Sequence, residues 1–416
     1  MRIAVVGGGV SGLVAAHLLA PSHEVVVFEA ASSVGGHAHT VAVDEGNEVH
    51  HIDTGFVVFN DQNYPSFEKL LGRLGVGAQR TSMSFSVSDA SGEFEFATRS
   101  MNGIFAVRRH LVSPPFYRII LEALRCQREA RDATFDKAEG DTAVGEWLVN
   151  HGFSSAFADQ ILIPLLSAIW SSDARSIESV PVGFMATFFA NHGMLQVFGR
   201  PDWYTVAGGS RRYVNALVDQ TSATFRVSTP VHSVTRRSDS VTIDAGGTKS
   251  DFDRVVMATH SSDTLRVLED ATPIEREILA GVDYQDNEVV LHTDTSLLPR
   301  RRRAWASWNY HILDAPSAVG AAVTYDMTRL QRLDTETRFC VTLNRTADID
   351  PSSVIDRFSY AHPCYSSASR ASQRRVTEIS GENRTHFCGA YWSWGFHEDG
   401  VRSGIRVAEE LGCPGL

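Results

Sequence analysis

The first thirty residues constrain the fold more than any other part of the chain. Residues 2–6 are a short β-branched apolar run typical of a buried parallel strand, and Gly7-Gly8-Gly9-Val10-Ser11-Gly12 follows directly. Residues 13–20 predict a helix that Pro21 ends, and residues 24–28 predict a second strand that Glu29 closes. This order of strand, glycine-rich turn, helix, strand and acid is typical of a Rossmann-like dinucleotide-binding unit.

Each residue type in this turn has a physical reason to be there. Gly7 permits the tight turn, Gly9 lets the backbone approach a pyrophosphate, and Gly12 lets the helix pack closely on the strand. The helix N-terminus offers free N–H groups to phosphates, and Glu29 is placed to accept hydrogen bonds from ribose hydroxyls. The segment therefore predicts dinucleotide contacts at Gly7, Gly9, Val10, Ser11, Gly12, Glu29 and Ala30.

Composition narrows the class of protein around this unit. The 416 residues are 43% hydrophobic and 21% charged, which predicts a globular protein of two or three structural units. A net charge of −11 argues against a general nucleic-acid binder. Five scattered cysteines without a CxxC pair favour a reducing compartment, so we expect a cytoplasmic protein. The sequence leaves peripheral membrane contact and the oligomeric state open.

The residues after Glu29 indicate which dinucleotide is bound. They read Ala30-Ala31-Ser32-Ser33-Val34-Gly35-Gly36-His37-Ala38-His39-Thr40. This stretch resembles the flavin-dependent amine oxidase and phytoene desaturase superfamily, whose members carry an acid, a short spacer, a Gly-Gly pair and a downstream Thr. The superfamily often has Arg where this chain has His37. The resemblance implies FAD rather than NAD, with cofactor contacts at Gly35, Gly36, His37, His39 and Thr40.

Later segments resemble the same superfamily. Residues 203–214 resemble the return to the FAD domain, and residues 253–260 resemble its A-T-G turn with His260 in place of Gly. Residues 387–391 predict a last strand, and residues 395–404 lead into a closing helix whose N-terminus faces the flavin in the superfamily. The resemblance implies further cofactor contacts at Val231, Ala258, Gly389, His397, Glu398 and Asp399.

The resemblance also implies an α/β fold, more fully an α+β composite. We expect a Rossmann-like FAD-binding domain from residues 1–62, 203–275 and 376–416. An inserted, discontinuous substrate domain would use residues 63–202 and 276–375. Its first part reads as mostly helical, with helices over 141–148, capped by Asp141, and over 157–170, and a Phe- and Met-rich stretch over 180–198. Strands are predicted over 225–234, 240–244 and 288–294, among others.

Within the superfamily the chain is most similar to bacterial flavin amine oxidoreductases that resemble the N-terminal region of plant cyclopropane fatty acid synthases. The likeness rests on residues 284–287, 291–294, 308–310, 324–325 and 395–400. It implies an FAD-dependent oxidoreductase that transfers hydride from an apolar substrate, a lipid or fatty acyl chain, to flavin N5. It also implies a lipid-modifying methyltransferase as a partner.

Hydride transfer needs a group that handles the proton, and His292, Tyr310, His397 and Glu398 are the candidate catalytic residues. Simpler roles compete: His292 lies in an apolar strand as a core histidine would, and Glu398 and Asp399 could cap the closing helix. No metal is expected, because the sequence has no HExxH motif and no Cys/His pairing at ligand spacing.

Three other functions stay open at this point. An amine oxidase is one, although the three lysines, Lys69, Lys137 and Lys249, lie outside the segments expected near the flavin. A redox-neutral isomerase that uses reduced flavin is another, and a non-catalytic flavoprotein accessory to a lipid-modifying enzyme is the third.

Overall fold

The computed structural model describes residues 1–46, 48–133, 140–195, 201–313 and 320–416. The strands in this part of the chain are, in order, β1 (Arg2–Val6), β2 (Glu24–Phe28), β3 (Thr40–Asp44), β4 (Val49–Asp53), β5 (Val58–Asn60), β6 (Ala78–Thr81), β7 (Phe85–Asp89), β8 (Glu95–Ala97), β9 (Trp203–Val206), β10 (Thr224–Arg226), β11 (Val231–Arg236), β12 (Val241–Ala245), β13 (Thr248–Phe252), β14 (Arg254–Met257), β15 (Asp283–His292), β16 (Trp308–Ile312), β17 (Val323–Asp326), β18 (Cys340–Leu343), β19 (Val354–Cys364) and β20 (Thr385–Phe387).

The α-helices in the same ranges are α1 (Val10–Leu19), α2 (Pro65–Leu74), α3 (Met101–Ile104), α4 (Pro114–Ala133), α5 (Val144–Asn150), α6 (Ser155–Phe157), α7 (Ile163–Trp170), α8 (Ala174–Glu178), α9 (Val182–Asn191), α10 (Arg211–Asp219), α11 (Ser261–Val267), α12 (Pro273–Ala280), α13 (Met327–Leu330), α14 (Ser367–Arg374) and α15 (His397–Glu410). A π-helical segment, Ala158–Leu162, joins α6 to α7. The short 3-10 turns include Arg108–Val112 and Ala390–Trp392. No helix of the described ranges is long and apolar enough to cross a membrane.

A parallel sheet in the order β10-β2-β1-β14-β20 carries the N-terminal motif. Both of its faces are covered, because alternate residues of β1 enter different cores. Ile3 and Val5 pack beneath α1, while Ala4 and Val6 pack with β11–β13 on the opposite face. Since parallel strands point the same way, the loops after β1 and β14 open at one edge of the sheet.

A larger mixed sheet has the order β19-β15-β18-β17-β16-β7-β8. One face packs against a helical layer of α4, α5, α7 and α9, in a core rich in Phe and Trp. The other face packs on Ile52 of β4 and neighbouring apolar residues. Two distant chain segments build this sheet, since β7 and β8 precede the other five strands by almost two hundred residues.

The mixed helices and sheets confirm the predicted fold class, whereas the proposed domain boundaries stay a prediction. The described residues of 63–202 are mostly helical, as predicted, and they also supply β6, β7 and β8. Other local predictions are wrong. Residues 225–234 form two strands, since the chain turns at Ser228 with φ of +50°.

Helix starts and strand ends also differ from the predictions. The residue before α5 is Ala143 rather than Asp141, because Val144 N donates to Val180 O and thereby ties the helix start to the segment before α9. The last strand is Thr385–Phe387, and residues 390–392 form a 3-10 turn instead of continuing it. In the 180–198 stretch the helix is Val182–Asn191, and residues 196–198 lie outside the described residues.

Candidate functional site

A cavity of about 1320 Å³ runs from the turn after β1 to the interior of the helical layer. Its wall is polar and built from backbone at one end, which we call the dinucleotide end. The other end, the apolar end, is lined by side chains of the helical layer. The two ends meet where β16, β17 and β19 of the mixed sheet face the loops of the parallel sheet.

The glycine turn forms the dinucleotide end. Gly7 has φ of +109°, and a Cβ on Gly12 would lie 2.1 Å from Gly7 O, so both positions require glycine. A Cβ on Gly9 would meet no protein atom within 4 Å. The backbone at Gly9 therefore faces open space, as it must where a pyrophosphate approaches.

Glu29 lies beside this turn. Its Oε2 accepts a hydrogen bond from Gly8 N at 2.8 Å, and its Oε1 accepts one from Ala31 N at 2.8 Å. These two backbone bonds fix the orientation of the carboxylate while it still lines the cavity. A fixed carboxylate at the end of β2 suits an acceptor for ribose hydroxyls.

The second glycine pair closes over the first. Gly35 N donates to Gly8 O at 2.8 Å, and a Cβ on Gly36, where φ is +56°, would lie 3.2 Å from Gly9 Cα. The two glycine turns thus contact each other through backbone atoms. Glycines of both turns also line the cavity. Side chains at these positions would separate them.

Two helix N-termini point at this end of the cavity. Val10 and Ser11 at the start of α1 and His397 at the start of α15 all line it. Helices α1 and α15 pack closely where they cross at Gly404, since a Cβ on Gly404 would lie only 2.5 Å from Ser11 O. Helix N-termini carry partial positive charge and free N–H groups, so the pair favours an anionic ligand.

His37 lies on the wall between the dinucleotide end and the mixed sheet. Its ring centroid is 4.9 Å from that of Tyr360 and 5.4 Å from that of His362. Burial, reinforced by the neighbouring histidines, holds the pKa of His37 well below its usual value, against a backbone hydrogen bond at Ala361. His37 Nε2 is buried without a hydrogen-bond partner, so a bound group that accepts or donates there would satisfy it.

These features fit FAD. The open backbone at Gly9, the carboxylate of Glu29, the second glycine pair and the two helix N-termini would hold its phosphates, ribose and ring system. When bound, FAD supplies a two-electron hydride acceptor at N5 of the flavin.

The apolar end is formed by residues from four helices, the π-helical segment, one strand and the turn after α9. All of them have aliphatic or aromatic side chains, so this half of the cavity has an apolar wall. They are Phe96, Phe116, Ile119, Ile120, Ala123, Leu124, Phe157, Ile161, Leu162, Leu165, Ala168, Ile169, Phe188, Phe189 and Met194.

Aromatic side chains line the junction of the two ends. Trp308 of β16 meets Tyr325 of β17 edge-on, with ring centroids 5.3 Å apart. Tyr360 of β19 exchanges a hydrogen bond of 2.9 Å with Thr54. Burial raises the pKa values of both Tyr325 and Tyr360 to about 12, so their hydroxyls stay protonated.

The structure brings most of the predicted cofactor residues to the cavity wall. These are Gly7, Gly9, Val10, Ser11, Glu29, Gly35, Gly36, His37, Ala258, Gly389 and His397. They come from the loops after β1, β2, β14 and β20 and from the start of α15. Their role toward the cofactor stays a prediction.

Other predicted cofactor residues do not line the cavity, and their contact with the cofactor also stays a prediction. His39 Nδ1 pairs with Thr54 Oγ1 at 2.8 Å, and Thr40 Oγ1 donates to Asp53 Oδ1 at 2.6 Å. That bond partly compensates the burial that raises the pKa of Asp53 to about 6. The other predicted residues that do not line the cavity are Gly12, which packs behind the turn, and Ala30 and Val231.

Two predicted catalytic residues, His292 and Tyr310, do not line the cavity. His292 is fully buried in β15, where Nε2 pairs with Thr342 Oγ1 at 2.7 Å and Nδ1 accepts from Asp294 N at 3.1 Å. Burial lowers its pKa to about 4, as expected of a neutral core histidine. Tyr310 packs against the helical core, while Trp308 on the same strand lines the cavity.

The start of α15 uses its polar side chains mainly for packing. His397 Nε2 pairs with Tyr213 Oη at 2.6 Å, and its ring stacks on Phe56 at 3.7 Å. Burial lowers the pKa of His397 to about 3.

Glu398 and Asp399 cap helix starts, which agrees with the simpler role considered for them, and their predicted roles toward the cofactor and in proton transfer stay predictions. Glu398 accepts from Ser66 N and Phe67 N at the start of α2, at 3.1 and 2.8 Å. Asp399 accepts from Phe396 N at 3.0 Å. Neither lines the large cavity.

Sequence reasoning missed the contribution of β19. Tyr360 and His362 line the cavity from this strand, and Ser359 and Ala361 contribute beside them. The signal was an alternation of Phe358, Tyr360 and His362, which places three rings on one face of a strand. His260 and Tyr284, stacked with centroids 4.5 Å apart, also line the wall.

Three comparisons with known proteins show the family and the fold of the chain. The family model for flavin containing amine oxidoreductase matches residues 10–301. The flavin-dependent L-tryptophan oxidase RebO of Lentzea aerocolonigenes is 25% identical over 264 residues, which are 58% of this chain and 54% of that protein. The chain thus matches about half the length of this curated relative.

Solved structures share the fold over nearly the whole chain. A CLA-producing fatty acid isomerase from P. acnes superposes with a TM-score of 0.68 at 15% identity, covering 97% of this chain and 96% of that one. Cyclohexylamine oxidase from Brevibacterium oxydans IH-35A gives a TM-score of 0.67 at 16% identity, covering 99% of each chain.

The family match and the oxidase relative define the chain as an FAD-dependent oxidoreductase, and the glycine cradle and paired helix N-termini fit that cofactor. The family match specifies it further. The chain belongs to the flavin-containing amine oxidoreductases, which confirms the flavin cofactor and the superfamily indicated by residues 7–40.

Proposed function

We propose that the protein oxidises an apolar substrate, a lipid or fatty acyl chain, by hydride transfer to FAD. One observation carries the proposal: the apolar end of the cavity is continuous with the dinucleotide end, so a chain buried among the helices reaches the junction. Burying each CH₂ group contributes about 0.8 kcal/mol, so such walls bind a long hydrocarbon strongly without any polar contact.

The charges of the cavity support this substrate class over an amine. Among the described lining residues, the carboxylates are Glu29, Asp263 and Asp286. Asp263 follows β14, and Asp286 is exposed on β15 near His260, so these carboxylates belong to the dinucleotide side. An ammonium group placed among the apolar side chains would lose its hydration without gaining a counter-charge.

A bound FAD would supply the two-electron acceptor for the hydride of the substrate C–H bond at the junction, and in a desaturation the adjacent carbon would release a proton. The chain's own residues orient the substrate and exclude water. His362 is neutral because burial lowers its pKa to about 4, and its Nδ1 pairs with Asn287 Nδ2 at 3.0 Å. That pairing occupies the Nδ1 lone pair of His362, so we assign the proton to His37, whose buried Nε2 has no hydrogen-bond partner.

Anaerobic mixing of the flavin-loaded protein with free fatty acids, phospholipids or amines tests the proposal. We expect acyl substrates to bleach the flavin absorbance band and amines to leave it unchanged. Bleaching by amines alone would make the protein an amine oxidase.

Two further outcomes identify the remaining alternatives. A lipid product formed only after prior reduction of the flavin would indicate an isomerase, a class that includes a protein of the same fold. The fold alone does not choose between these reactions. No bleaching by any compound, together with co-purification of a lipid-modifying methyltransferase, would indicate an accessory protein.

A further inference from the structure

Exposed apolar side chains concentrate around the start of α4. Of the twelve large apolar residues that are well exposed in the described part of the chain, six lie between residues 101 and 124. Five of them form what we call the α4 patch, since they lie on α4 and the 3-10 turn before it: Leu111, Val112, Tyr117, Leu121 and Leu124. Val112 is 83% exposed and Leu121 is 65% exposed, so water covers hydrocarbon here.

The patch is a continuous surface. Tyr117, Leu121 and Leu124 follow the i, i+4, i+7 spacing that places side chains on one face of a helix. Tyr117 Oη donates to Leu111 O at 3.0 Å, which holds the preceding turn against the same face.

The charge around the patch is opposite to that of the whole chain. Residues 99–131 contain seven arginines and two glutamates, a net charge of +5 on a protein of net charge −11. Arg118, Arg125 and Arg128 lie on the same side of α4 as the apolar residues. Part of this charge is paired within the helix, for example Arg118 with Glu122 at 3.1 Å. An apolar face rimmed by arginine matches an anionic lipid surface.

The same helix lines the cavity. Leu124 is 52% exposed and also contributes to the cavity wall, and the apolar end is also lined by the adjacent Ala123 and by Ile120, one turn earlier. The α4 patch therefore lies at the edge of the apolar end of the cavity.

We propose that the α4 patch docks the protein on an anionic lipid bilayer. Its apolar side chains enter the interface, the arginines contact lipid phosphates, and the apolar end of the cavity faces the lipid. This inference rests on the proposed function: a docked protein could take up an acyl substrate directly from the bilayer, without the substrate crossing water. The contact is peripheral, because α4 carries too many charges to span a membrane.

Vesicle co-sedimentation of the flavin-loaded protein tests the docking surface. The vesicles are phosphatidylcholine with or without phosphatidylglycerol, and no substrate is added. We expect binding to vesicles that contain phosphatidylglycerol, weaker binding to pure phosphatidylcholine, and loss of most of the binding at high salt. The double variant Val112→Glu/Leu121→Glu should bind about tenfold more weakly, because two charges then face the interface.

A matched variant separates docking from general surface chemistry. Val49→Glu/Val227→Glu also places two charges on exposed valines, 54% and 41% exposed, outside the α4 patch. It should bind vesicles like the unaltered protein. Flavin content and melting temperature are measured for both variants, and equal values show that both are folded.

Other results would overturn the docking proposal. They are no binding to either vesicle, equal weakening by both double variants, or a dimer in solution that the α4 variant alone dissociates. Flavin bleaching by lipid dispersed in detergent is measured separately. Vesicle binding without bleaching would refute the proposed function alone, and bleaching without vesicle binding would refute the docking surface alone.

Discussion

The two ends of the cavity are built in opposite ways. The dinucleotide end is mostly backbone, and most of its wall comes from residues 7–37, with Ala258 and Gly389 added from neighbouring strands. The apolar end is made of side chains that come from one strand, four helices, the π-helical segment and the turn after α9, between residues 96 and 194. A backbone site restricts each position to glycine or to one functional group, whereas a hydrocarbon wall accepts any apolar residue of suitable size.

This difference predicts different responses to substitution. A change at the dinucleotide end should alter the fold or the affinity for FAD and leave substrate selection alone. A change at the apolar end should alter substrate selection and leave FAD bound.

The largest effect is expected within the glycine turn itself. Gly12→Ala places a Cβ 2.1 Å from Gly7 O and should destabilise the protein by about 3 kcal/mol or prevent folding. Gly9→Ala meets no protein atom and should leave the melting temperature of the FAD-free protein unchanged. It should nevertheless weaken FAD binding about 100-fold, because the methyl group fills the space that a pyrophosphate needs. Calorimetry and FAD titration measure the pair, and equal behaviour of the two variants would contradict the assignment.

Glu29→Ala should weaken FAD binding by about 10- to 100-fold, since hydrogen bonds to charged groups contribute about 1.5–3 kcal/mol. Glu24→Ala, at the exposed start of the same strand, is the control and should bind FAD normally. Fluorescence titration with FAD measures both affinities. Unchanged affinity in Glu29→Ala would remove this carboxylate from the site.

Ala123→Phe tests the apolar end. The larger side chain should shorten the longest acyl chain that reduces the flavin and lower kcat/KM for long chains about tenfold, while FAD content stays constant. Leu121→Phe on the exposed side of the same helix should change neither. A parallel loss with every chain length would show that Ala123 supports the fold instead of the substrate.

Substitution of His292, which lines neither end of the cavity, should have the smallest effect on flavin reduction and stability at neutral pH. Its pKa is about 4 in the folded protein against an ordinary value of 6.5, so below pH 6.5 the unfolded chain binds a proton that the native state does not. Stability should therefore fall as the pH decreases from 6.5 to 4. His292→Gln should remove about 2–3 kcal/mol of this dependence.

Urea unfolding at pH 7.5 and 4.5 measures that dependence. The variant should bleach with the same substrates as the unaltered protein at pH 7.5. A large loss of flavin reduction with normal FAD content would restore His292 as a catalytic candidate.

Much of the fold could be predicted from residues close together in the sequence. The order of residues 2–29 specified β1, α1 and β2, because glycine at fixed offsets leaves the backbone few alternatives. The spacing of Phe67, Leu70, Leu71 and Leu74 is also local and typical of one helix face, and these four residues form the buried face of α2.

The candidate site was less predictable where residues depend on distant partners. Glu398 looked like a proton carrier, yet its carboxylate is used by backbone groups more than 300 residues earlier. His292 looked available, yet Thr342 on the next strand of the sheet holds its ring in the core. Local patterns carry no information on such partners, and a polar side chain takes the role that its neighbours in space allow.

The sequence by itself determined that this chain binds a dinucleotide, because backbone geometry at the glycines and the acid after β2 is a local property, and the resemblance of the residues after Glu29 to the superfamily indicated FAD. Only the tertiary structure decided the shape and length of the apolar end and which of the polar residues reach the junction. It also decided which apolar side chains of the helices stay exposed to solvent. Those properties come from side-chain packing between segments far apart in the chain, and packing depends on position in space rather than on spacing in sequence.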